Sequence, residues 1–229
     1  MIRVGGVSAV LNDIEGTTSS IAFVHDVLFP YSRSRMIDFV LEHRAAVEPI
    51  LDVARDLADR HDLDDAGVAR MLVRWIDEDR KAPPLKALQG MIWRQGYELG
   101  ELVGDIYDDA VRGLRRWRHQ GLRLAVYSSG SVEAQKLIFG HSTVGDLTGL
   151  FCGWFDTAVG PKVDAASYGR IAEALHLRPD KILFLTDAPA EIEAAAAAGM
   201  KTIRLTRDGI PAAGEASSFD DIEIGLEAE

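Results

Sequence analysis

Five short runs of apolar, mostly branched residues punctuate the chain: SAVLND (8–13), LRLAVYSS (122–129), GWFDTAV (153–159), KILFLTD (181–187) and KTIRLT (201–206). Several are apolar almost throughout rather than alternating, which predicts strands covered on both faces. Patterns of helical period separate the last four: SVEAQKLIFG (131–140), DAASYGRIAEALH (164–176) and APAEIEAAAAAG (188–199), the last stopped by Gly199. Strand alternating with helix predicts an α/β fold, a Rossmann-like doubly wound parallel sheet with right-handed crossovers. The alternation is missing from about residue 20 to residue 105, where the pattern is helical instead. Val68, Met71, Leu72, Trp75 and Ile76 fall on one helix face, Met36, Phe39 and Val40 begin a similar stripe, and PPLKALQGMIWRQGYELG (83–100) opens on prolines and closes on glycine. The pattern predicts a catalytic core over 1–19 and 106–229 with a small α-helical domain, 20–105, inserted after the first strand.

Composition narrows the classes. A formal charge of −11 argues against a nucleic-acid or anionic-membrane surface, because phosphates need a basic face to replace their counterions. No segment reads as a signal peptide or membrane span, so the expected location is cytoplasmic. The single cysteine, Cys152 in GLFCGWF, excludes an internal disulfide and is expected to be a small buried residue.

In a doubly wound sheet, ligands collect at the carboxyl ends of the strands. Asp13, Glu15, Ser128, Ser129 and Asp187 all fall at such ends. Asp13 and Glu15 would lean to one side if the chain stays extended, and two neighbouring anions need a cation or a proton between them. A hard divalent ion, Mg²⁺ by preference, resolves the conflict; a solvated turn is the plain alternative. Asp187 offers a third carboxylate or else a cap for the helix that follows. Ser128 and Ser129 offer hydroxyls and N–H groups for an anion, or again a cap. Lys162 is either a surface lysine or the positive charge that a phosphate beside three carboxylates needs. Glu191 could orient a water on the ion or be the first-turn acid that helix dipoles favour.

The ordered set Asp-x-Glu-Gly-Thr, Ser-Ser-Gly, Lys, Asp resembles the four motifs of the haloacid-dehalogenase-like phosphatases, whose first motif normally reads Asp-x-Asp. With Glu15 in second place, and with DIEGTTSSIAFVHDVLFPYS, LKALQGMIWRQGY, YSSGSVEAQKLIFGHSTVGDLT, FDTAVGPKVDAASY and LTDAPAEIEAAAAAGM, the chain from about residue 9 to 206 is similar to the enolase-phosphatases of methionine salvage. The resemblance implies an Mg²⁺-dependent enzyme that enolises 2,3-diketo-5-methylthiopentyl-1-phosphate and then dephosphorylates it to the acireductone. It implies Asp13 as nucleophile and Glu15 as general acid and base. Ser128, Ser129 and Lys162 would hold the phosphoryl oxygens, with Thr17 a further hydroxyl nearby. Asp13, Glu15 through its backbone carbonyl, and Asp187 would hold the ion. The helical insertion would be a cap, with Phe23, Trp93 and Tyr97 as wall residues unless they only pack, and the enzyme would be a monomer. A phosphatase of the same superfamily acting on another small phosphorylated metabolite is the alternative. Two departures stand out. Asn12 replaces an aliphatic residue or threonine, and TRDGIP (206–211) replaces the common Arg-Pro-Gly-Asn in what reads as a peripheral loop.

Overall fold

The computed structural model describes residues 1–225. The chain divides into two compact units, Met1–Ile21 with the chain from Gly104 onward, and Ala22–Val103. Residues 226–229, assigned above to the core, lie outside the described residues.

The second unit holds helices α1 (Phe29–Glu42), α2 (Arg44–Ala58), α3 (Asp65–Asp77) and α4 (Pro83–Glu98), with a wide π-helical turn, Phe23–Leu28, leading into α1. The 3.6-residue stripe expected on α3 is buried in full, and it shares a core with Met36, Val40, Leu51, Leu88 and Ile92. The sequence pattern did not single out α2, which carries Pro49 inside it. A proline there removes one backbone hydrogen bond and reads as a break. Phe23, Trp93 and Tyr97 are all buried. The Trp93 indole donates to the Leu28 carbonyl at 2.8 Å.

The first unit carries α5 (Asp108–His119), α6 (Val132–Gly140), α7 (Ala165–Ala174) and α8 (Pro189–Ala197). Its strands are β1 (Ile2–Gly5), β2 (Ala9–Asn12), β3 (Arg123–Tyr127), β4 (Gly153–Phe155), β5 (Ile182–Thr186), β6 (Lys201–Arg204) and β7 (Ile222–Gly225). Five of them form one parallel sheet in the order β4-β3-β2-β5-β6. The central apolar runs pack as expected, every residue of β2 and β5 being buried, whereas β4 and β6 at the sheet edges are only partly covered. Leu11, Tyr127 and Phe184 lie under Tyr168, Ile171 and Ala195 of α7 and α8. Each such aliphatic or Phe side chain contributes about 1.5–3 kcal/mol by leaving water.

Connectivity fixes where a ligand can go. From β2 the chain builds outward through β3 and β4, then crosses to the other side for β5 and β6, so the order reverses at β2. Asn12 pairs in register with Val126 on one side and Leu185 on the other. Residues 13, 128 and 187 therefore leave three adjacent strands at nearly one level, at the switch point where open α/β sheets bind ligands.

Three local expectations change. The run at 153–159 forms strand only over Gly153–Phe155, because Asp156 turns the chain, its carboxylate accepting from the Ala158 and Val132 N–H groups. A second sheet, the parallel pair β1–β7, joins residues 220 positions apart, with Ile2 opposite Ile222. Cys152 is exposed rather than buried. It enters β4, the edge strand, and donates its N–H to the Leu124 carbonyl at 2.8 Å, so only its backbone is held by the sheet. Among the described residues no helix is long and apolar enough to cross a membrane.

Candidate active site

Asp13, the first residue past β2, is held from three directions. Its Oδ1 accepts from the Ile14 N–H at 2.8 Å and from Lys162 Nζ at 2.6 Å, and Thr186 Oγ1 lies 2.9 Å from its Oδ2. The chain then turns instead of staying extended. The Ile14 carbonyl accepts from the N–H groups of Thr17, Thr18 and Ser19, and Gly16 N–H donates to the Ser19 carbonyl. Gly16 has φ +69°, and a Cβ there would stand 2.4 Å from Asp187 Oδ2. Glycine is thus needed twice over, for the left-handed turn and for the approach of Asp187. Across this turn Glu15 lines the same pocket as Asp13.

The structure brings Asp13, Glu15, Ser128, Ser129, Lys162 and Asp187 into the lining of one pocket, completed by Glu191, Ala188 and Ile21. Thr17 is not in that lining; its hydroxyl is buried. For Asp187, the two serines and Lys162 the geometry bears on the plain alternatives. Helix α8 is capped at Ala188 with no side-chain bond, so Asp187 is not its cap. Helix α6 is capped by Ser131, which leaves Ser128 and Ser129 for the pocket. Lys162 is no surface lysine, since its side chain is only 10% exposed.

Lys162 is placed by its backbone. Tyr168 OH donates to the Lys162 carbonyl at 2.7 Å, Ser167 Oγ to Pro161 at 2.8 Å and Tyr127 OH to Gly160 at 2.9 Å. Its ammonium lies between Asp13 and Glu191 Oε2, 2.8 Å away. Burial alone would lower the lysine, but the two carboxylates more than offset this and hold it protonated. The serine loop is fixed by Gln135, whose Nε2 donates to the Gly130 and Phe155 carbonyls at 2.9 and 2.8 Å. Gln135 and Thr186 escaped the sequence reading because each acts through a tertiary contact that no local pattern marks.

Four carboxylates, Asp13, Glu15, Asp187 and Glu191, line the pocket with one ammonium, Lys162. Burial, then the charge of Asp13, push Asp187 above the ordinary carboxylate value. The same causes push Glu191 up to about 7 against the pull of Lys162. Among the described residues no three His, Cys, Asp or Glu side chains gather as a ready metal cage. Carboxylate oxygens in a pocket with excess negative charge fit the hard oxygen donors that Mg²⁺ prefers.

A carboxylate with a raised folded-state pKa binds its proton more tightly in the native protein than in the unfolded chain. Its ionisation therefore removes stability as pH rises from the ordinary value of 4.5 through about 7. Glu191→Gln is accordingly expected to raise the Tm of metal-free protein above pH 7 and to leave it nearly unchanged below pH 4.5. Thermal melts in chelator across that range check this; a Tm difference independent of pH would contradict it.

The sequence profile of the haloacid dehalogenase-like hydrolases matches residues 7–199. Enolase-phosphatase E1 of Methylococcus capsulatus is 54% identical over 205 residues, covering 89% of this chain and 90% of its own. The protein of the same name from Azotobacter vinelandii is 53% identical over 221 residues, covering 95% and 97%. Among solved structures, the UTR4 protein of Saccharomyces cerevisiae matches with a TM-score of 0.74 at 29% identity, covering 95% of this chain and 97% of that one.

Proposed function

This chain belongs to the enolase-phosphatases, within the haloacid dehalogenase-like hydrolases, and on that premise we propose how its pocket performs the reaction of methionine salvage. The substrate is 2,3-diketo-5-methylthiopentyl-1-phosphate and the products are the acireductone and phosphate. Enolisation comes first and shifts one proton from carbon to a carbonyl oxygen.

In the phosphoryl step a carboxylate oxygen of Asp13 attacks phosphorus and the bond to the substrate oxygen breaks. Glu15 gives its proton to that leaving oxygen. The Glu15 carboxylate then takes a proton from water, whose oxygen attacks the aspartyl-phosphate; phosphate leaves and the Asp13 carboxylate is restored. Lys162, Ser128 and Ser129 hold the phosphoryl oxygens, the ammonium offsetting charge as it builds. Asp13, Asp187 and the Glu15 carbonyl would hold Mg²⁺, which when bound supplies Lewis-acid polarisation of a carbonyl and neutralises phosphoryl charge.

The observation that carries this reading is the 2.6 Å pair of Lys162 with Asp13 in a pocket shared with Glu15 and Asp187 at the switch point of the sheet. The helical unit is proposed as the cap that excludes water during turnover. A cytoplasmic monomer completes the proposal, checked by fractionation and sedimentation.

Purified protein with Mg²⁺ should show the ultraviolet absorbance of the enol before phosphate appears, and neither signal in chelator. Phosphate release from many unrelated esters with no enol signal would point instead to a phosphatase for another small metabolite.

A further inference from the structure

Arg207 lies beyond β6, in the stretch that the sequence marks as a peripheral loop, yet its side chain is only 10% exposed. Its Nε donates to the Thr17 carbonyl at 3.1 Å, and Nη2 donates to the same oxygen. Its Nη1 donates to Asp109 Oδ2 at 2.7 Å, and its guanidinium lies 4.4 Å from the centre of the Tyr107 ring. Asp109, in the first turn of α5, also accepts from Ser218 Oγ and Phe219 N–H. The next carbonyl of the turn, that of Thr18, accepts from Tyr107 N–H at 2.9 Å. Two successive carbonyls are thereby tied to the α5 entry and the C-terminal segment.

The turn also has bonds of its own. It is closed locally by the three bonds to the Ile14 carbonyl, and Thr17 Oγ1, buried and without a hydrogen-bond partner among the described residues, anchors nothing. What a forked, charged donor at Thr17 adds is position, because charge-assisted bonds are about twice as strong as neutral ones and a two-pronged one fixes direction. We propose that Arg207 is a positioning residue for catalysis, holding the turn at Thr17 so that Glu15, two residues earlier, keeps its place beside Asp13. The proposal rests on the acid-base role given to Glu15 above.

The test compares wild type, Arg207→Gln, Arg207→Lys, Glu15→Gln and the Arg207→Gln/Glu15→Gln double variant as full chains. Two esters are used, each read by first-turnover release of its alcohol, which precedes the hydrolysis of the aspartyl-phosphate that both share: the diketo phosphate and p-nitrophenyl phosphate, whose aryl oxygen departs without a proton. Arg207→Gln should lower the first-turnover rate constant on the diketo phosphate about 100-fold with the half-saturating concentration little changed, the size of effect that a small misplacement of a reacting group produces. It should cost far less on the aryl ester. Arg207→Lys keeps the pairing with Asp109 but not the fork on Thr17, and should show the same contrast in smaller degree. In the Glu15→Gln background, Arg207→Gln should add almost nothing on the diketo phosphate. Equal losses on both esters, or additive losses in the double variant, would overturn the proposal. A Glu15→Gln variant that itself shows no contrast between the esters overturns the role of Glu15, and the Arg207 proposal with it.

Discussion

Asp13→Asn is expected to lose phosphate release by at least ~10⁴-fold, the scale seen when a covalent nucleophile is removed, while melting no lower than wild type. The amide keeps the size of the carboxyl and an acceptor for the Lys162 ammonium, now 2.6 Å from Asp13 Oδ1. It cannot form a phosphoryl ester that water then clears. The undiminished stability follows from charge. Asp13 is one of four carboxylates around one lysine and helps to push up both Asp187 and Glu191. Removing its charge relieves that crowding, the usual opposition between a functional site and stability. Kinetics on the diketo phosphate together with thermal melts check both halves. Residual turnover near wild type would remove the nucleophile from the account, and a collapse in Tm would show that Asp13 is held for the fold.

Lys162→Met should lower kcat by about 10²–10³-fold, as losing a group that meets developing charge typically does. Here the stability effect has the opposite sign. The Lys162 ammonium lies 2.6 Å from Asp13 and 2.8 Å from Glu191, and its side chain is nearly buried, so its loss leaves two carboxylates facing each other in a poor solvent for charge. Glu191, already near 7, should move higher once the lysine no longer pulls it down. A carboxylate raised in the folded state loses stability as pH climbs from its ordinary value to its folded one. The Tm deficit of the variant in chelator should therefore widen from pH 5 towards pH 9. A deficit that narrows over that range would show that Lys162 does not govern the charge balance of the pocket.

Of the strands that the sequence announced, the central β2 and β5 are buried throughout, while β4 and β6 are only partly covered. Strands β2 and β5 read as unbroken apolar runs because both faces are covered, and α3 reads as a stripe because one face is. Strands β1 and β7 are four residues each, alternate in burial and pair across almost the whole chain, so neither carries a local signal. The run GWFDTAV returns to apolar residues at Ala158 and Val159, and the hydrogen bonds of Asp156 end the strand before them. Around the pocket, sequence could mark residue types at strand ends: Asp13, Ser128 and Asp187. It could not mark what sets them in place. Gln135 works by reaching the carbonyls of Gly130 and Phe155, Thr186 by standing between Asp13 and Glu191, and Arg207 by crossing 190 positions to Thr17. Such contacts exist only once the chain has folded.

The most direct measurement is a rapid-quench experiment on wild-type protein turning over the diketo phosphate with Mg²⁺, followed by borohydride reduction and peptide mass analysis. An aspartyl-phosphate is an acyl phosphate, and reduction converts that aspartate to homoserine. The account predicts homoserine at position 13, formed within the first turnover and absent when substrate is withheld. Homoserine at another acidic residue, or a full first turnover of phosphate with Asp13 unmodified at every quench time, would contradict it.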